Sequence, residues 1–115
     1  MDKLGVAFTQ ANRFEEASTI FDRLTSANPK YEAGWNNRGF LHLLIGDLEG
    51  AEADFRAAVA LDPNLEQAQA NLASILINTG REQEARPILD ELIKRHPGNA
   101  DYRQALEYVR AQVGD

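Results

Sequence analysis

The sequence predicts an all-α fold of three tandem helical hairpins and one closing helix, about seven helices in total. The first observation behind this is that the chain matches itself under a shift of 34 residues. Asn28-Pro29, Asp62-Pro63 and His96-Pro97 each end a segment in one register. Ala17, Ala51 and Ala85 share a column, as do Phe21, Phe55 and Leu89, then Leu24, Ala58 and Leu92, and finally Phe8, His42 and Leu76. The second observation is that apolar residues inside each segment recur at three- and four-residue intervals, the spacing of one helix face. The third is a turn residue dividing each segment. Gly46 and Gly80 favour the left-handed conformation that ends a helix, and Asn12, the commonest substitute, occupies their column in the first copy.

In chain order, the first helix is expected from about Asp2 to Ala11, with Leu4, Ala7, Phe8 and Ala11 on one face. The second, about Phe14 to Ala27, places Ala17, Ile20, Phe21 and Leu24 inward. Asn28-Pro29 stops it, because a residue before proline is pushed out of the helical region. The third runs from about Tyr31 to Ile45 and ends at Gly46. Asp47 caps the fourth, about Leu48 to Leu61. Gly39 is expected to face Ala51, Phe55 and Ala58 across this hairpin, where small side chains let two helix axes approach and an aromatic fills the gap beside them. Helices five (about Leu65 to Thr79) and six (about Glu82 to Arg95) repeat the scheme with Leu72, Ile75, Leu76, Ala85, Leu89 and Leu92. Pro87 removes one backbone hydrogen bond inside the sixth. The last helix, about Ala100 to Val113, carries an apolar stripe of Tyr102, Leu106, Val109 and Val113. Glu107 and Arg110 stand where a further repeat would need small or aromatic residues, so this helix reads as a cap with a polar outer side.

These residues resemble the tetratricopeptide repeat (TPR) family, whose 34-residue unit is a helix-turn-helix with Trp, Leu-Gly and Tyr followed by Ala, Phe and a closing Pro. The middle copy supplies Trp35, Gly39, Ala51, Phe55, Ala58 and Pro63. The first supplies Leu4, Gly5, Phe8, Ala17, Phe21 and Pro29, with Met1 in the Trp column; the third supplies Leu72, Ala73, Leu76, Ala85, Leu89 and Pro97. Departures are Arg38 at a Leu column, His42 at the Tyr column and Gln69 at the Trp column. The resemblance implies a right-handed superhelical solenoid of antiparallel helix pairs forming a single domain over 1–115. The repeats would span about 1–31, 32–65 and 66–99, with the capping helix at about 100–113. The first copy is three residues short of a full unit, so a longer parent is expected on the N-terminal side, whereas the C-terminal boundary looks natural.

Composition excludes several functions. The 115 residues carry a formal charge of −6 with both signs dispersed, which is no basic stripe for nucleic acid. With no cysteine, a disulfide framework, thiol nucleophile or zinc-thiolate site is impossible. No apolar run approaches the ~20 residues that cross a bilayer, so membrane insertion is not expected. Met1-Asp2-Lys3 lacks the start of a signal peptide, leaving a cytoplasmic location as the default and the compartment otherwise unknown.

Catalytic chemistry is not indicated. His42 and His96 are the two histidines, and neither has a second ligand at metal spacing. His42 reads as a Tyr substitute whose ring packs in the core. Glu15-Glu16 sits where negative charge favours a helix N-terminus. Gly46, Gly50 and Gly80 are scattered at turns and form no phosphate loop. The chain is expected not to be an enzyme and to need no cofactor or metal.

The resemblance also implies a concave face lined by the first helix of each repeat, where extended peptides bind in the family. The 34-residue shift gives its columns: Lys3, Asn37 and Asn71; Val6, Phe40, Ser74 and Tyr108; Gln10, Leu44, Asn78 and Gln112; with Asn36, Ala70 and Gln104 flanking. Asn offers donors and an acceptor that grip a peptide backbone, and the family commonly uses the Asn37 column so. Phe40 and Leu44 lie four residues apart and would expose an apolar patch, a usual mark of an interaction site. Partner-binding candidates are therefore Asn36, Asn37, Phe40, Leu44, Asn71, Asn78 and Tyr108. The two-carboxylate clamp of chaperone-binding TPR proteins falls on Asp2 and Val6, Asn37, and Gln67 and Asn71. Asn37 alone matches, and with no cation there, charge-assisted capture of a carboxylate fails. The expected function is a non-catalytic protein–protein interaction module holding a peptide or partner helix. The alternatives are a homo-oligomerisation or scaffold module and a regulatory appendage of a larger enzyme.

Overall fold

The structure, a computed structural model, describes residues 2–114, and residue 2 by its backbone alone. Met1, in the Trp column of the first copy, lies outside the described residues. The described residues form seven helices, α1 (Asp2–Gln10), α2 (Phe14–Ala27), α3 (Glu32–Leu44), α4 (Leu48–Leu61), α5 (Glu66–Asn78), α6 (Glu82–Arg95) and α7 (Ala100–Val113). All are separated by short turns, and among the described residues there is no strand. Among the described residues no helix is long and apolar enough to cross a membrane.

The turns form as the residue types dictate. Asn12, Gly46 and Gly80 adopt φ of +60°, +84° and +75°. In each case the next residue donates back to the preceding helix: Arg13 N–H to Phe8 O at 2.8 Å, Asp47 N–H to His42 O at 2.8 Å and Arg81 N–H to Leu76 O at 2.7 Å. Asp47 caps α4 through its carboxylate, which accepts from Gly50 N–H at 3.0 Å. Asn99 caps α7, accepting from the Asp101 and Tyr102 N–H groups. These side chains satisfy donors that a helix start leaves unpaired.

The described residues form two compact units that divide within α5, one up to Ala68 and one from Gln69. In the first unit α1 packs on α2, α2 on α3 and α3 on α4. Its core comprises Ala17, Phe21, Leu24 and Leu41, with Val6, Phe8, Phe14 and Tyr31 packed against it, and Ala51, Phe55 and Ala58 are fully buried. Leu4, expected on the inward face of α1, is 48% exposed, and Ala7 and Ala11 are also exposed. In the second unit α6 packs on α7. Its buried residues are Leu72, Ala73, Ile75, Leu76, Ala85, Leu89, Leu92, Leu106 and Val109. Glu107 and Arg110 are exposed on α7.

The hairpin crossings are set by glycine against phenylalanine. A Cβ added at Gly39 would stand 2.9 Å from Phe55 Cε1, and one at Gly5 would stand 2.6 Å from Phe21 Cε1. Phe55 and Phe21 are both essentially sealed from solvent, so neither ring has open space to swing into. The third copy holds Ala73 and Leu89 in these columns, both buried: the small residue gains a methyl where the large one loses ring area. Gly39→Ala is therefore expected to cost about 1–3 kcal/mol by overpacking, and Phe55→Leu on the order of 1 kcal/mol. The double substitution Gly39→Ala/Phe55→Leu, which copies the third repeat, is expected to cost less than the sum by about 0.5 kcal/mol or more. Denaturant unfolding of the four proteins measures this coupling.

Candidate functional site

Helix α3 is packed on several sides, and the residues left over define the candidate site. Gly39 meets α4 through Phe55. Leu41 is fully buried and Gly34 lies against Leu24 of α2. Trp35 closes the start of the helix, its Nε1–H donating to Pro29 O at 2.8 Å.

Arg38 departs most from the sequence reading. Its Nε and Nη2 donate to the two oxygens of Asp54 on α4 at 3.0 and 2.8 Å. Its Nη1 donates to Asp22 and to Thr25 Oγ1 on α2, each at 3.2 Å. The guanidinium also lies over the Trp35 ring, 5.0 Å from its centroid, a cation–π contact. Asp54 is buried at 2% exposure. The hydrogen bonds to Asp54 hold the Arg38 pKa above its ordinary value, and burial opposes them. His42 is not a plain core substitute for Tyr. Its Nδ1 stands 2.8 Å from Asp54 Oδ2, yet the contact lacks hydrogen-bond alignment, so the nitrogen has no hydrogen-bond partner. The bonds of Arg38 to Asp54, Asp22 and Thr25 make the cluster a clasp across α2, α3 and α4. Among the described residues no group of three or more metal-ligating side chains converges.

Sequence reading noted Arg38 and His42 separately and missed Asp54. The signal was present: the middle copy replaces apolar residues in three columns at once, Arg38 for Leu4 and Leu72, His42 for Phe8 and Leu76, and Asp54 for Ile20 and Ile88. Polar replacements arriving together in three apolar columns imply partners, because a buried charge persists only when paired.

The partner-binding candidates separate on the structure. Asn37, Phe40 and Leu44 fall at helical spacing along one side of α3, and Phe40 and Leu44 are 47% and 48% exposed. Ile45 and Leu48, which follow at the end of α3 and the start of α4, are also exposed. Val6, Thr9 and Gln10 of α1, Phe21 of α2, and Asn37 and Phe40 line a cleft of about 100 Å³. The Thr9 hydroxyl donates to Gly5 O at 2.9 Å, and Gln10 and Asn37 also line the cleft. Asn36 points elsewhere. It is 8% exposed, its Nδ2 lies 3.5 Å from Gln67 Oε1, and its Oδ1 is buried without a hydrogen-bond partner. In the second unit Asn71 is half-buried, Asn78 is exposed at the end of α5, and Tyr108 is 48% exposed on α7.

Comparison with known proteins places this geometry. Two family models, each described as tetratricopeptide repeat, match residues 3–66 and 43–107. Heat shock protein STI1 of Saccharomyces cerevisiae is 26% identical over 121 residues, covering 93% of this chain and 20% of that protein. The FK506-binding protein-like of Mus musculus is 36% identical over 69 residues, covering 60% of this chain and 20% of that protein. The chain thus spans about a fifth of the length of these curated relatives. Among solved structures, the first TPR of Spaghetti (RPAP3), bound to the HSP90 peptide SRMEEVD, has a TM-score of 0.85 at 18% identity. That match covers 99% of this chain and 93% of that one.

The clasp carries a testable energetic consequence. Asp54→Ala leaves a half-buried guanidinium with only Asp22 and Thr25 and is expected to cost about 3–5 kcal/mol. Arg38→Leu/His42→Phe/Asp54→Ile, which restores residues of the other copies, is expected to be neutral or stabilising by about 1–4 kcal/mol. Thermal and denaturant melts of the two variants decide it.

Proposed function

The chain belongs to the tetratricopeptide repeat family, and from that premise we propose that it is a non-catalytic protein-interaction module whose ligand seats on the α1–α3 face of the first unit. The observation that carries the reading is the unpartnered apolar pair Phe40 and Leu44, about half exposed, beside a cleft furnished with the amides of Gln10 and Asn37. Apolar area that folding leaves in water is favourable to bury against a partner. The amides orient a backbone through paired donor and acceptor groups. Because the face sits on two packed helices, it meets a ligand already organised, which lowers the ordering cost of binding. Asn71, Asn78 and Tyr108 extend the proposal to the second unit by their columns alone. Asn36, being buried, serves the hold on Gln67 before any ligand.

The RPAP3 structure holds the HSP90 peptide SRMEEVD, an acidic ligand. That ligand class is not carried over, because Asp2, Gln67 and Asn71 occupy the clamp columns that would need cations. A second reading, self-association through Phe40 and Leu44, draws on the same exposed pair.

Substitution separates these outcomes. Phe40→Ser is expected to leave helicity unchanged and stability within about 1 kcal/mol, since the side chain is half exposed. Light scattering at several concentrations is expected to give a monomer for both proteins. Peptides selected from a random linear library on the wild type are expected to lose binding to Phe40→Ser. A variant that unfolds would show Phe40 to be core and sink the reading. A wild-type dimer that Phe40→Ser converts to a monomer would establish self-association instead.

A further inference from the structure

Helix α1 repeats the register of α3 but lacks the covering that α3 has. Under the 34-residue shift Leu4, Ala7 and Ile20 stand in the columns of Arg38, Leu41 and Asp54. In the middle copy α2 closes these columns. Leu41 is fully buried in one cluster with Phe21 and Leu24 of α2, and Arg38 runs from Asp54 to Asp22 and Thr25 of α2. Leu72 and Ile75, which hold the first two columns in the third copy, are 4% and 2% exposed. On α1 the same side is open: Leu4 is 48% exposed, Ala7 is exposed and Ile20 beside them is half-buried. Two copies bury what the first leaves in water.

This side is separate from the Phe40 and Leu44 strip. Val6, Thr9 and Gln10 line the cleft towards α3, and at about 100° per residue Leu4 stands about 200° around α1 from Val6. The α2–α3 interface shows what such a side accepts, which is a helix packed along it. The residue in the first column then sets the chemistry of that helix. Arg38 takes a carboxylate and a hydroxyl, Asp22 and Thr25. Leu4 offers no charge, so a carboxylate seated over it would lose water without gaining a counter-charge. An apolar side chain there removes apolar area from water on both partners. A threonine remains tolerable, because the Thr25 hydroxyl also donates to Phe21 O of its own helix.

We propose that the open side of α1 docks an amphipathic helix of a partner protein, packed on α1 as α2 packs on α3, with an apolar residue over Leu4 in place of the acid that faces Arg38. The occupant is a helix because this side continues, one repeat earlier, the interface that α2 makes with α3. Its chemistry follows from the exchange of Arg38 for Leu4 in one column. The inference goes beyond the Phe40 and Leu44 reading and uses neither residue.

The probe is a labelled peptide with the sequence of α2, residues 14–27, stapled through the exposed positions of Glu15 and Thr19, since a free helix this short is marginal in water. It is made with the native sequence and with Asp22→Leu, and each form is titrated by anisotropy with the intact chain. The Asp22→Leu peptide is expected to bind the wild type tenfold or more tighter than the native-sequence peptide. Leu4→Arg, which restores the residue of the middle copy, is expected to reverse that order. Ala7→Glu is expected to abolish binding of the Asp22→Leu peptide with an unchanged melting curve, because Ala7 is exposed, and it carries the test should Leu4→Arg fail to fold. Phe40→Ser is expected to leave helix binding unchanged. Equal affinities for the two peptides, an order that a folded Leu4→Arg does not reverse, or no binding up to about 1 mM would overturn the inference. A wild-type dimer that Ala7→Glu converts to a monomer would give this side to a second copy and overturn it as well. None of these results touches the Phe40 and Leu44 reading, whereas loss of helix binding in Phe40→Ser would show that the helix sits on that strip and not on α1.

Discussion

The close approach of two helices across a glycine is the constraint on which the rest of the structure depends. Helix axes approach only as near as the side chains between them permit. At Gly39 the missing Cβ lets the Phe55 ring lie directly on the α3 backbone, and Gly5 does the same for Phe21. Once that contact is made, the register of the hairpin is fixed, and with it which residues of each helix face inward. The Ala73 and Leu89 of the third copy are the same solution with volume moved from one partner to the other, which is how close-packed interiors tolerate change.

The middle repeat adds a second constraint of a different kind. Arg38 reaches Asp54 on α4 and Asp22 and Thr25 on α2, so one side chain joins three helices and two repeats. Desolvating these charges offsets much of their attraction, so the clasp contributes little net stability compared with the apolar residues of the other copies. What it does supply is geometry. A bidentate guanidinium–carboxylate pair tolerates little displacement, whereas Leu against Ile would accept a sliding or rotated neighbour. The Trp35 ring beneath the guanidinium and its hydrogen bond to Pro29 O tie the start of α3 into the same arrangement.

Function follows from what this packing leaves over. The sides of α3 bearing Gly39, Leu41, Gly34, Arg38 and His42 are committed to neighbouring helices, and Asn36 is buried beside Gln67. The exposed strip of Phe40 and Leu44 remains. Because α3 is held so firmly, that strip is a rigid platform, and its apolar residues remain exposed at no gain to the fold itself. A fold of this family does not choose its ligand; in the function proposed here the choice lies in this strip.

The sequence by itself determined the helices and their order. The 34-residue period, the prolines after Asn28, Asp62 and His96, and the turn residues Asn12, Gly46 and Gly80 act locally, through backbone conformations that neighbouring residues dictate. It also put Phe40 and Leu44 on a side of α3 where no repeat partner needs them, because helical spacing counts faces without knowledge of the neighbours. The tertiary structure alone decided which polar residues are structural. Arg38 and Asp54 are sixteen residues apart on different helices, so their pairing exists only once α3 and α4 cross. Asn36 and Asn37 are adjacent and identical in chemistry, yet one is sealed beside Gln67 and the other lines the cleft. A 100° step around a helix separates them, and only the position of the surrounding helices gives that step its meaning.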